Sequence, residues 1–353
     1  MFWLDLLLEI IIMEYRKFFL AVILIILAGW LSVSCSGDKM KSASNETAAV
    51  DSLSVLNESI KSDSLDVSLY NQRARYFLKR NQLNSALQDI RKAIEISPSN
   101  PGLFLTLSDI YLGQGKIRQS AESLERVIEL DPVNNDAYLK LAELGLIVRS
   151  YDKAFQFTAK ALELKPHNPV AYFIRGYASL ETGDTLSAVD YFVKAVNQDQ
   201  DYFEALLQLG VLFSEKKDRR AFDYLNSAVR LRPSSTDALY ALAMYHQGSN
   251  ELEPAKDLYA KILSINAQDE YALFNLGYIA LVFEEEYVKA EEYFSRAISA
   301  DPSYADAYYN RGFTRELLRE YTNARLDYKQ VLVINPDYSL AIDALNRLDS
   351  QGL

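Results

Sequence analysis

The sequence predicts an all-α protein built as a repeat array, on three observations. From residue 67 onward a pattern of side chains returns every 34 residues. Small residues recur at the eighth place of each unit, flanked by apolar residues at helical spacing. A proline stands at place 32 of most units, where it ends a helix because it lacks an N–H and clashes with the preceding turn. A period of this length marks units that cannot bury their own apolar faces and must stack.

The chain opens differently. From Met13 it reads MEYRKFFLAVILIILAGWLSVSC. Arg16 and Lys17 are basic, Phe18 to Leu31 form an apolar run of 14 residues, and Ser32 and Ser34 precede Cys35. This is the order of a signal peptide, expected over residues 1–34. The run is short of the roughly 20 residues a bilayer-spanning helix needs. Asp5 and Glu9 suit a basic start badly, so Met13 is the expected start. In the alternative, Met1 starts the chain and LLLEIII lengthens the run into an uncleaved anchor.

Cys35 is the only cysteine in 353 residues, which excludes an internal disulfide and a cysteine zinc cluster. LSVSC, Leu31 to Cys35, resembles the lipobox of bacterial lipoproteins, with Ser32 where that family prefers Leu. The resemblance implies acyl chains on Cys35, and two or more such chains anchor a protein stably. Ser36 in place of Asp implies an outer-membrane position in the cell envelope. Residues 35–66 are then the lipidated Cys35 and a flexible tether: residues 36–66 hold eight serines and no aromatic residue, too little apolar surface to order the segment. Within it VDSLSVLNESI has the pattern of a transient helix.

Eight units follow over residues 67–338, starting at Val67, Pro101, Asn135, Pro169, Phe203, Thr236, Glu270 and Ala305. Place 8 is Ala74, Ser108, Ala142, Gly176, Gly210, Ala243, Gly277 and Gly312, so two helices of a unit can approach closely. Ala86, Ala154, Ala188, Ala221, Ala255, Ala290 and Ala324 act from the other side. Pro98, Pro132, Pro166, Pro233, Pro302 and Pro336 stop the second helices, and neighbouring Asp or Asn can cap the next first helix. The fifth unit is one residue short and the seventh one long. The pattern resembles the tetratricopeptide repeat, W-x2-L-G-x2-Y, A-x3-F, P. The resemblance implies a right-handed superhelical solenoid of about eight helix-turn-helix units. SLAIDALNRL, within residues 339–353, adds a capping helix over the last seam.

Catalytic chemistry has no foothold in this pattern. His167 falls in a loop and His246 at a packed place of the sixth unit. The glutamates of FEEEY, Phe283 to Tyr287, lack the spacing of a calcium loop. There is no Gly-rich phosphate loop, no G-x-S-x-G and no H-E-x-x-H. We therefore expect no enzyme, no catalytic residue, no metal site and no cofactor. The net charge of −11 argues against nucleic acid as a partner.

Binding has candidates. In the resembled family, places 2, 5, 9 and 12 of the first helix line the concave surface, and places 5 and 9 are one turn apart. From the fourth unit these two places carry Phe173, Tyr177, Leu207, Tyr240, Met244, Phe274, Tyr278, Tyr309 and Phe313, with Val211 beside Leu207. This predicts an aromatic groove for a protein or peptide partner, with packing between repeats as the alternative. In the first three units the same places are Asn71, Arg75, Leu105, Asp109, Leu139 and Glu143. The Lys and Asn pairs with which the family clamps acidic C-terminal tails are absent. The expected function is a lipid-anchored scaffold in the cell envelope that holds a partner protein, by analogy with repeat lipoproteins that assist outer-membrane, pilus or secretion assembly. The alternative is a homodimer formed through the same surface.

Overall fold

The computed structural model describes residues 53–352, and among these every regular element is helical. The signal-peptide segment, Cys35 and most of the expected tether lie outside the described residues. The chain divides after Gln198 into two compact units.

The first unit holds a leading helical segment, residues 53–62, and four helix pairs. They are α1 (Val67–Lys79) with α2 (Leu83–Ile96), α3 (Pro101–Gly113) with α4 (Ile117–Leu130), α5 (Asn135–Ile147) with α6 (Tyr151–Leu164), and α7 (Pro169–Glu181) with α8 (Thr185–Gln198). The second unit holds α9 (Phe203–Glu215) with α10 (Arg220–Leu231), α11 (Thr236–Gly248) with α12 (Leu252–Ile265), α13 (Glu270–Val282) with α14 (Tyr287–Ala300), α15 (Ala305–Leu317) with α16 (Tyr321–Ile334), and the single α17 (Ser339–Ser350). Within each unit, helix pairs stack on their neighbours, as the repeat pattern requires.

The seam inside each pair is fitted by volume. A Cβ on Gly176 would stand 2.7 Å from the Phe192 ring, on Gly277 2.8 Å from Phe294, and on Gly312 2.8 Å from Tyr328. Where place 8 keeps a side chain, as in Ala74, Ser108 and Ala142, the buried residue at place 24 is smaller: Ile90, Leu124 and Thr158. Ala243 is the exception, facing the place taken by Tyr259, which is fully buried and donates its hydroxyl to Gln247 at 2.8 Å.

Every turn inside a pair contains one residue in the left-handed region: Asn81, Gly115, Arg149, Gly183, Lys217, Asn250, Glu285 and Arg319. That residue closes the first helix in the usual way, turning the chain so that the amide can reach back to the helix carbonyls. Each turn between pairs ends on the cap of the next first helix. Asp66, Asn100, Asn134 and Asn168 cap in the first unit through their side-chain oxygens, as do Ser235 and Asp269 in the second. Tyr202, Tyr304 and Tyr338 occupy the cap place, where their side chains accept no hydrogen bond from the first amides of the helix.

The expected tether differs at its end. Residues 53–62 are helical, and Ile60 is buried in one core cluster with Tyr70, Ala74, Ala86 and Ile90. Arg73 donates to both oxygens of Asp89 at 2.7 Å and to Asn57 of the leading segment at 2.7 Å. In the last pair, Arg311 donates to Asp327 and to Ser295 of the preceding second helix in the same manner. The leading segment thus stands where the second helix of a preceding repeat would stand. Its order rests on Ile60, buried against Tyr70 and Ala74 of α1, and on the Asn57 bond to Arg73.

Candidate functional site

The first helices present the candidate surface, and each unit builds it with different chemistry. In the first unit the face is polar and internally bonded. Arg75 donates to Thr106 at 3.2 Å, and Thr106 donates to Asn71 at 2.9 Å. Lys140 pairs with Asp109 at 2.7 Å. Beside them burial pushes the Glu143 carboxyl up to about 7; Lys140 pulls against this and Asp109 adds to it. Tyr177 is 6% exposed and donates to Glu181 at 3.2 Å. Burial raises its hydroxyl well above the usual phenol range. Phe173 is part-buried with its ring 5.5 Å from Phe192.

In the second unit the face is aromatic and acidic. Leu207, Tyr240, Phe274 and Tyr278 are buried. Phe274 packs on Phe294 and Tyr304, with centroids 5.6 and 5.0 Å away. Tyr240 lies 5.9 Å from Tyr259 and accepts a 2.9 Å hydrogen bond from Asn275. Met244 and Tyr309 are part-buried, the Met244 sulfur accepting from Tyr259 and the Tyr309 ring packing on Tyr328 and Tyr338. Phe313 is 38% exposed.

The expectation of an open aromatic stripe therefore fails at Tyr177, Leu207, Tyr240, Phe274 and Tyr278, which are packing residues. The cause is visible in the second unit at the cap place. Tyr304 and Tyr338 lie over Phe274 and Tyr309 of the preceding pair, so a ring that a single repeat leaves open is closed by the next. Phe173, Met244, Tyr309 and Phe313 keep accessible surface. Sequence reasoning missed Tyr271, Tyr304 and Tyr338, part-exposed rings on the same side. It also missed the carboxyls of Asp237, Asp269 and Glu270 beside them. The signal was present: a tyrosine at a place where Asp, Asn or Ser is the useful residue.

Charge divides in the same way. Residues 53–198 carry 17 Lys and Arg against 17 Asp and Glu, whereas residues 199–353 carry 16 against 25. The second unit thus holds −9 of the net −11. His246 sits against Glu251 at 2.5 Å with its ring between Phe222 and Tyr245, a packed position. Among the described residues no cluster of His, Cys, Asp and Glu has the arrangement of a metal site.

Residues 105–169 and 279–339 match a family model described as tetratricopeptide repeat. Residues 41–127 match one described as ChAPs (Chs5p-Arf1p-binding proteins). The mouse protein named tetratricopeptide repeat protein 16 is 32% identical over 96 residues, 26% of this chain and only 12% of that protein's length. Among solved structures, a tetratricopeptide repeat protein from Parabacteroides merdae superposes with a TM-score of 0.52 at 16% identity, over 71% of this chain and 98% of that one. The APC/C hetero-tetramer Cut9–Hcn1 gives 0.54 at 17% identity, over 82% and 57%. The fold is that of stacked tetratricopeptide-type repeats, a scaffold suited to protein–protein interaction.

Proposed function

We propose that this protein is a lipid-anchored scaffold of the cell envelope that holds a partner protein or peptide on the first-helix faces of its repeats. The observation that carries the reading is the set of accessible aromatic side chains on the first helices, Tyr271, Tyr309 and Phe313, with Tyr304 and Tyr338 at the caps beside them. Accessible apolar patches of this kind mark interfaces. The anchor rests on Cys35, placed directly after an apolar run and a pair of small residues. A role in assembling an outer-membrane, pilus or secretion complex is the corresponding cellular setting.

The test has two arms. Replacing Cys35 with Ala and fractionating cells checks the anchor: the variant is expected in the soluble fraction, and retention at the membrane with the same mature mass contradicts lipidation. Affinity capture on the wild type and on Phe313→Ala, with partners identified by mass spectrometry, checks the scaffold. Loss of one abundant partner in the variant supports it. A stable homodimer at micromolar concentration, weakened by the same substitution, supports self-association instead.

A further inference from the structure

Place 7 of the first helix is an arginine in three repeats: Arg73 in α1, Arg175 in α7 and Arg311 in α15. In the first and last of these the side chain is held by acceptors at two fixed places. The residue 16 positions onward, Asp89 or Asp327, accepts from both Nε and Nη2 at 2.6–3.0 Å. The residue 16 positions back, Asn57 or Ser295, accepts from Nη1.

In α7 both acceptors are missing. Tyr191 stands at the place of the aspartates, and Ala159 at the place of Asn57 and Ser295. Arg175 lies instead between two rings, 5.6 Å from the centroid of Phe155 on α6 and 5.1 Å from that of Tyr191 on α8. Among the described residues its nitrogens form no hydrogen bond, and Nε is sealed from solvent. The terminal nitrogens are not sealed, and the residue keeps accessible surface. Lys194, which also lies over the Tyr191 ring, is committed to Asp190 at 2.6 Å. Ring faces attract the cation, but they leave the N–H groups in the guanidinium plane without acceptors. A part-buried guanidinium in that state calls for a planar oxyanion, which takes two parallel N–H bonds at once.

We propose that Arg175 is a docking point for a carboxylate of the partner protein, an aspartate or glutamate side chain that meets the open Nη edge between Phe155 and Tyr191. The fold itself fills the two equivalent places with a carboxylate, and this repeat leaves its own to be supplied from outside. The site lies against the second helices α6 and α8, so it goes beyond the first-helix reading and adds a separate contact. Residues 53–198 carry no net charge, so an acidic segment is not turned away from this unit.

Fluorescence anisotropy on the full chain tests this. The probe is a labelled twelve-residue peptide alternating glutamate with glycine and serine, and the control carries glutamine in place of glutamate. The wild type is expected to bind the glutamate peptide and not the glutamine one. Arg175→Lys keeps the charge but loses the planar fork, and is expected to weaken binding about tenfold or more. Arg118→Gln removes a positive charge from an exposed place on α4 and is expected to leave binding nearly unchanged. Tyr191→Asp puts a carboxylate at the place of Asp89 and Asp327, and is expected to abolish binding by filling the site from within. Should Arg175→Lys lower the melting temperature, Tyr191→Asp decides alone. No binding by the wild type, equal loss in Arg175→Lys and Arg118→Gln, or full binding by Tyr191→Asp overturns the inference. If a captured partner is lost with Phe313→Ala and kept with Arg175→Lys, the scaffold reading survives and this assignment fails.

Discussion

Tyr278 and Phe313 occupy equivalent places in successive repeats and differ in exposure, 3% against 38%. Tyr278→Ala is expected to destabilise by about 3–5 kcal/mol, the cost of truncating a core aromatic. Phe313→Ala is expected to cost under about 1 kcal/mol while weakening partner capture. Urea denaturation of the two variants separates them. Glu143 makes a pH prediction. Its folded-state value lies above the ordinary 4.5, at about 7. The carboxyl therefore favours the fold below about 4.5 and loses that contribution as pH rises through about 7. The wild-type melting temperature should fall across this window relative to Glu143→Gln, in which the step is absent. None of this was legible from single repeats: the places of these residues could be read, but their burial is decided by what the next repeat lays over them.

The inner turns are the most regular elements of the chain, and they are regular in backbone rather than in side chain. Eight residues of five kinds adopt the same left-handed conformation. For a residue with a Cβ this costs roughly 1–2 kcal/mol, which glycine does not meet. Lys217→Gly and Arg319→Gly are each expected to raise stability by about 0.5–1 kcal/mol, less than the full relief because glycine also loosens the unfolded chain. The check is a higher denaturation midpoint at unchanged slope. The helix starts were readable because proline, small residues and caps punctuate them. The leading helix was legible only as a transient helix over VDSLSVLNESI, because its order comes from Tyr70, Arg73 and Asp89, which lie beyond it.

Across the chain the two units differ in electrostatics. Residues 53–198 balance to zero, and residues 199–353 repel themselves with a net −9. Salt at about 0.5 M shortens the screening length well below 10 Å. Hydrogen-exchange protection should rise with salt in α9 to α17 and stay nearly constant in α1 to α8; equal response in both would show that local pairs, not net charge, set the balance. The repeating helix-turn-helix pattern was legible because its period is imposed by stacking, whereas the acidic aromatic face was not, because it is assembled from residues of three successive repeats, each unremarkable alone. A stack held together by neighbours also unzips from its ends. The half-repeat over residues 53–62 is joined to the array along one side, through Ile60 and the Arg73 fork. It is thus a latch: when it lifts, Tyr70 is bared and a protease meets an extended strand of chain before any complete repeat has opened.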